Sequence, residues 1–126
     1  MGNPSDRRYT SEHEWIRVEG DVGTVGITHH AQAALGDIVH VEFPAVGAVL
    51  KKGGGACTVE SVKAVSEVYA PVSGTITAVN DSLEDQAATI NEDPYGAGWL
   101  FRLRLANPAD VEALMDASAY TAHAGD

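Results

Sequence analysis

An amine is a nucleophile that an enzyme can acylate, and this chain of 126 residues offers three lysine side chains. Lys51 and Lys52 lie together beside Gly53-Gly54-Gly55, whereas Lys63 stands alone in the run Val59-Glu60-Ser61-Val62-Lys63-Ala64-Val65-Ser66-Glu67-Val68. Val59, Val62, Val65 and Val68 place β-branched mass on both sides of it, and Pro71 and Gly74 stop the pattern downstream. The run reads as a hairpin with a lysine at its tip. Ser61-Val62-Lys63-Ala64 contains no Gly, Asn or Pro, which disfavours a turn needing positive φ and leaves a type I turn. Such a turn holds the amine off the body of the domain. Acylation there removes a charge and adds a flexible arm, which raises the effective concentration of a tethered intermediate at each partner. The bland alternative is a surface lysine on a turn, and the hairpin alone does not separate the two. Glu60 and Glu67 frame the hairpin, either as an acidic feature for partners or as ordinary solvated strand charge.

Other chemistries find less support. His29 and His30 are adjacent, so on a helix they point in different directions; His13, His40 and His123 lack supporting Cys or carboxylate spacing. No metal is expected. Cys57, the single cysteine, excludes an internal disulfide, and its place in a predicted strand favours burial over reactivity. The glycines at 53–55 lack the GK[ST] ending that phosphate binding requires. No nucleophile–base–acid set or dinucleotide fingerprint is present, so no catalytic residues are assigned.

The elements that must hold Lys63 follow from pattern. The length implies one domain with a single core. A net charge of -10, from 8 Lys+Arg against 18 Asp+Glu, repels phosphate backbones and argues against nucleic acid. No apolar run is long enough to span a bilayer, and Met1 to Arg8 lack the apolar core of a secretory signal, so the cytoplasm is the expected compartment and no membrane partner is expected. Residues 1–8 are expected to form a disordered tail and 9–126 a single domain. Strands are predicted at Trp15–Val18, Val22–Ile27, Ile38–Phe43, Val46–Leu50, the two arms of the Lys63 hairpin, Gly74–Val79 and Trp99–Leu105. In the last, Phe101, Leu103 and Leu105 face inward and Arg102 and Arg104 outward. Thr28 should cap a helix over His29–Leu35 that stops at Gly36. A helical turn is expected over Ser82–Ala88. Asn107 and Pro108 open a C-terminal helix with a Val111, Leu114, Met115 stripe, and a second helix follows near Ser118–Ala122. The fold class is mainly β: a small sandwich or flattened barrel with short helices at the margins and C-terminus. Two glycine-led strands, from Gly36 and Gly74, flank the hairpin as a faint internal echo.

Several segments stand in order along the chain: Tyr9-Thr10, His13-Glu14-Trp15, Val25-Gly26-Ile27-Thr28, Ala31-Gln32, Leu35-Gly36-Asp37-Ile38-Val39, Val59-Glu60-Ser61-Val62-Lys63-Ala64, Pro71-Val72-Ser73-Gly74, Ile90-Asn91-Glu92-Asp93-Pro94-Tyr95-Gly96 and Gly98-Trp99-Leu100. Over Tyr9 to about Tyr120 this series resembles the H protein family of the glycine cleavage system. Lipoyl domains of 2-oxoacid dehydrogenases usually carry an acidic residue before the lysine, where this chain has Val62. Biotinyl domains usually flank it with methionines, where this chain has Val62 and Ala64. The resemblance implies a lipoyl-type domain with lipoate in amide linkage to Lys63, and a carrier without turnover of its own.

The implied partners are a pyridoxal-phosphate glycine decarboxylase, an aminomethyltransferase using tetrahydrofolate, dihydrolipoamide dehydrogenase, and a lipoate ligase or lipoyl transferase. A loaded aminomethyl arm would fold back into a cleft, where Glu14 matches the family's position for a carboxylate that holds the protonated amine. Glu12 and Glu67 stand where some relatives have a hydroxyl and an aspartate, so Glu67 keeps the charge. Gly55-Ala56-Cys57-Thr58 departs from a more aromatic stretch in relatives, a packing change away from Lys63. A protein that chiefly relays lipoate to other enzymes would carry the same hairpin.

Overall fold

The computed structural model describes residues 3–125. Its strands run in chain order as β1 (Arg8–Tyr9), β2 (Glu14–Glu19), β3 (Val22–Ile27), β4 (Ile38–Glu42), β5 (Val49–Leu50), β6 (Gly55–Ser61), β7 (Val65–Tyr69), β8 (Gly74–Val79) and β9 (Phe101–Leu105). They form two antiparallel sheets, one of order β1-β2-β3-β9-β8-β5 and one of order β4-β6-β7. The two glycine-led strands that echo each other in sequence thus fall one in each sheet.

Alternation in the sequence becomes alternation in burial. Phe101, Leu103 and Leu105 of β9 are buried and Arg104 is exposed. Arg102 lies over the Trp99 ring, 4.2 Å from its centroid, and donates to Thr24 Oγ1 at 3.2 Å. Ile16, Val25, Val41, Val59, Val72, Ile76 and Leu103 belong to one core cluster drawn from both sheets, the half-buried-strand arrangement expected of a sandwich. A second cluster of Tyr9, Trp15 and Tyr120 lies under the C-terminal helices, with the two tyrosine rings stacked at 4.7 Å. Gly26 is needed there: a Cβ would meet the Trp15 ring at 2.6 Å.

Helix α1 (His29–Leu35) begins as expected, with Thr28 Oγ1 accepting from Ala31 N at 3.2 Å, and ends at Gly36 with φ +82°. Elsewhere boundaries moved. The predicted strand Val46–Leu50 shrinks to β5, because Ala45 to Ala48 closes a turn through Gly47 at φ +94°. Trp99 and Leu100 precede β9, since Trp99 N is spent on Gly96 O. The helical turn near Ser82 is a 3-10 turn over Asp81–Glu84, and a separate short helix α2 (Thr89–Glu92) follows it. Helix α3 (Ala109–Glu112) stops before Leu114 and Met115, so the predicted stripe is broken after Val111; Met115 instead exchanges backbone hydrogen bonds with Tyr9 at 2.8 and 3.0 Å. Helix α4 (Ala117–Ala124), capped by Asp116, brackets the predicted Ser118–Ala122 segment.

The described part of the tail differs from the expected disorder. Asn3 Nδ2 donates to Thr121 Oγ1, and Arg8 already pairs with Ile16 in β1. Arg7 is buried, with its guanidinium 4.5 Å from the Trp15 ring and donating to Tyr95 O at 2.9 Å. The reason is that polar and cationic side chains in this segment find aromatic faces and carbonyls on the body. Met1 and Gly2, the rest of the expected tail, lie outside the described residues.

Candidate functional site

Lys63 sits at the tip of the β6–β7 hairpin, where Glu60 pairs with Val65. The turn is held by Ser61, a buried residue whose hydroxyl oxygen accepts from Ala64 N at 3.1 Å and Lys63 N at 3.3 Å. Ser61 N donates to Ala64 O at 2.8 Å. None of the four turn residues has a positive φ, which is the condition a type I turn meets. Val62 N donates to Asp37 O at 3.0 Å and pins the tip to the approach of β4. The Lys63 side chain is exposed and passes over Gly36, where a Cβ would meet Cε at 3.3 Å. It forms no ion pair with a described residue. An amine so placed is open to acylation.

Glu14 opens β2 and is 2 % exposed, at the floor of a cleft of about 520 Å³. The walls come from four parts of the chain: the Thr10–Glu12 loop, Lys52 and Gly53, Tyr69 to Pro71, and Ala113 to Met115. The glycine loop is fastened to the residue just past β7 by Gly53 N donating to Ala70 O and Ala70 N to Gly54 O, both at 2.8 Å. Its role is therefore to shape a wall.

Glu14 Oε1 accepts from the Thr10 hydroxyl at 2.8 Å and Oε2 from Tyr69 N at 2.7 Å. Burial pushes its carboxyl up to about 7, against the pull of those two donors and with a small addition from Glu12. A carboxyl poised near neutrality ionises readily when an ammonium arrives. The apolar side chains of Leu114, Met115 and Pro71 suit an alkyl chain, and the single deep carboxylate suits a cation at its end.

Glu67 lies elsewhere. It is exposed on β7, packs over Gly55, and lines a separate hollow with Glu42, Phe43 and Cys57. The structure brings Glu12 together with Glu14 and does not bring Glu67 to them. Glu60 is exposed, paired across the sheet with His40 and Val65. Cys57 is buried, and desolvation pushes its thiol up to about 12, where it is inert at neutral pH.

The His13 and His30 rings stack at 4.3 Å, and His13 Nδ1 lies 2.7 Å from the Tyr120 hydroxyl, which also reaches Thr28 Oγ1 at 2.8 Å. No group of three or more His, Cys, Asp or Glu among the described residues is placed to hold a metal. The residues that pattern-reading missed are Lys52, Tyr69, Leu114 and Met115. They meet only through the fold, and no local spacing announces them.

Residues 7–126 match the protein-family model described as Glycine cleavage H-protein. The chain is 58% identical over 123 residues to the glycine cleavage system H protein of Laribacter hongkongensis, covering 97% of each chain. It is 57% identical over 119 residues to the protein of that name from Paramagnetospirillum magneticum, covering 94% of this chain and 95% of the other. A crystal structure of a glycine cleavage system H protein from Mycobacterium marinum superposes with a TM-score of 0.91 at 43% identity, covering 98% of this chain and 100% of that one.

Proposed function

The chain belongs to the glycine cleavage H-protein family, the lipoyl carrier of the glycine cleavage system, and from that premise we propose that Lys63 is the attachment point of its lipoyl group. The observation that carries the proposal is the exposed Lys63 amine on a hairpin tip that Ser61 and Asp37 hold off the core. Lys51 and Lys52 are exposed too, but they flank a glycine loop fastened to the body. Residues 9–126 act as one lipoyl-type domain.

The residues present fit the group on both counts. Lys63 supplies a free amine for the amide. The Glu14 cleft supplies apolar walls and one buried carboxyl for the far end of an arm. When attached, lipoate supplies a dithiolane that accepts a one-carbon aminomethyl unit and can be reoxidised.

Everything else falls to the chain itself. Neutral Lys63 Nζ attacks the acyl carbon of an activated lipoyl donor such as an acyl adenylate. The N–C bond forms as the C–O bond to phosphate breaks, AMP departs with the electron pair, and the nitrogen sheds one proton to water. Glu14, as carboxylate, accepts a hydrogen bond from an ammonium in the cleft, an interaction strengthened by exclusion of water. Thr10 and Tyr69 N keep that carboxylate oriented. Leu114, Met115 and Pro71 exclude water from the alkyl portion. Tyr69 lies six positions along the chain from Lys63, about 20 Å at strand rise, so the cleft is a neighbour of the hairpin base. Glu67, on its separate hollow, contributes charge to the outer face of the hairpin.

The partners we assign are the glycine decarboxylase, the aminomethyltransferase, dihydrolipoamide dehydrogenase and the lipoate ligase or lipoyl transferase, with the carrier doing no turnover of its own. These meet in the cytoplasm; no helix of the described residues is long and apolar enough to cross a membrane. Intact mass spectrometry after incubation with lipoate, ATP and a lipoate ligase should show one lipoyl addition on the wild-type chain and none on Lys63→Arg. Continued uptake by that variant would overturn the assignment.

A further inference from the structure

The Lys63 tip leans on two residues, Gly36 and Asp37, that join α1 to β4 and belong to neither. Asp37 O accepts from Val62 N at 3.0 Å, and the stem of Lys63 lies across Gly36, where a Cβ would meet Cε at 3.3 Å. Both contacts depend on how the peptide units at 36–38 are turned. A connection that includes a glycine at φ +82° has wide conformational freedom unless something fixes it.

One side chain does so from a different part of the chain. Asn91 Nδ2 donates to Gly36 O at 2.8 Å, and Asn91 Oδ1 accepts from Ile38 N at 2.9 Å. A single amide thus grips the backbone on both sides of Asp37. Nδ2 also donates to Oε1 of Gln32, a buried residue of α1, at 3.0 Å. These partners determine the orientation of the amide: flipped, it would set Nδ2 against the Ile38 N–H and Oδ1 against the Gly36 carbonyl. Its own footing is firm. Asn91 follows the buried Ile90 in α2, and its backbone N donates to Ala88 O at 3.0 Å.

We propose that Asn91 is a positioning residue for Lys63: its side-chain amide fixes the 36–38 backbone, so that the hairpin tip presents the amine in one place to the enzyme that acylates it. The inference deepens the assignment of Lys63 as the attachment point and rests on it. Asn91 acts on the amine only through Gly36 and Asp37. Acyl transfer needs the reacting atoms in near-attack geometry, where a misplacement of about 1 Å costs on the order of 100-fold. A tip that samples several positions keeps the same amine but offers the productive arrangement for a fraction of the time. The acylating enzyme then meets a lower effective concentration of competent carrier, so KM rises while kcat holds.

Three readouts on Asn91→Ala test this, each taken well below the melting transition that circular dichroism reports. Hydrogen exchange of the Val62 amide, followed by NMR, should quicken about tenfold. Lipoylation by a lipoate ligase with lipoate and ATP, followed by intact mass spectrometry, should show KM for the chain raised about fivefold and kcat within about twofold of the wild type. Acetylation of Lys63 by acetic anhydride, read from peptide masses, should keep its rate, because the amine itself is unaltered. Asn80→Ala is the control. Asn80 is buried and its Nδ2 donates to Ala97 O and Trp99 O, both at 2.8 Å, so its loss should lower the melting temperature and leave all three readouts unchanged. Gln32→Ala takes one partner from the Asn91 amide and should give the same effects at about twofold; it decides the matter if Asn91→Ala does not fold. Unchanged Val62 exchange, or faster exchange with a normal KM, would overturn the inference while leaving Lys63 as the attachment point. An equal rise in KM for Asn80→Ala would also overturn it, by making lost stability the cause. Uptake of lipoate by Lys63→Arg would instead remove the premise.

Discussion

At the scale of single residues, Glu14 carries the most testable electrostatics. Its carboxyl is held near 7 rather than 4.5 because burial penalises the charged form more than Thr10 and Tyr69 N reward it. The sign for stability follows. Below about 4.5 the group is protonated in both states and contributes no penalty. As pH rises toward 7 the unfolded chain sheds the proton while the folded chain retains it, so stability falls and then levels above the folded value. Urea unfolding of the wild type should therefore lose about 3 kcal/mol between pH 4.5 and pH 8 from this group, an amount that Glu14→Gln should remove. A Glu14→Gln curve as steep as the wild type's would show that the pH dependence originates elsewhere. The same proton bears on the proposed parking of the arm: an ammonium entering the cleft would ionise Glu14 and release that proton.

At the scale of elements, the hairpin depends on a side chain standing in for backbone. Ser61 Oγ receives two turn N–H groups, so Ser61→Ala should cost about 1–2 kcal/mol and speed hydrogen exchange at Lys63 and Ala64, read by NMR. Unchanged exchange at those amides would mean the turn is held by its flanking strands alone. This element was also among the most legible in sequence. The β-branched run suffices for a hairpin with Lys63 at its tip, and the absence of Gly, Asn and Pro from 61–64 agrees with a turn that has no positive φ. The same holds for β9, whose alternation shows directly, and for α1, whose Thr28 and Gly36 are local signals. What could not be read locally was anything decided by tertiary contact. β5 is two residues long because a turn through Gly47 outcompetes strand pairing. α3 ends at Glu112 because Met115 pairs with Tyr9, a partner more than a hundred positions away in sequence. Arg7 looks like a disordered-tail residue until Trp15 and Tyr95 are known to lie beside it. The candidate site divides the same way. Lys63 is announced by its own neighbours, and Glu14 by its place in an ordered motif series. Lys52, Tyr69 and Met115 join Glu14 only in three dimensions, and Glu67 is carried away from it by the path of β7 over Gly55.

At the scale of the whole molecule, the hairpin and the cleft have different supports. The hairpin belongs to the three-stranded sheet and is braced by α1's end and β4. The cleft is walled by Ala113 to Met115, which are anchored through the stack of Tyr120 on Tyr9 and the Tyr120 hydroxyl between His13 and Thr28. Tyr120→Ala should destabilise the fold by about 3–5 kcal/mol, as large aromatic truncations in cores do. Trp15, packed in the same cluster, should report the loss as a change in fluorescence. If the variant melts with the wild type, α4 is not what holds the cleft wall.

The order of synthesis gives this division a consequence. A ribosome completes both arms of the Lys63 hairpin well before it reaches Ala113 to Met115, and Tyr120 comes later still. The proposed handle and the proposed shelter are thus drawn from different stretches of the chain, the handle from the middle and part of the shelter from the end.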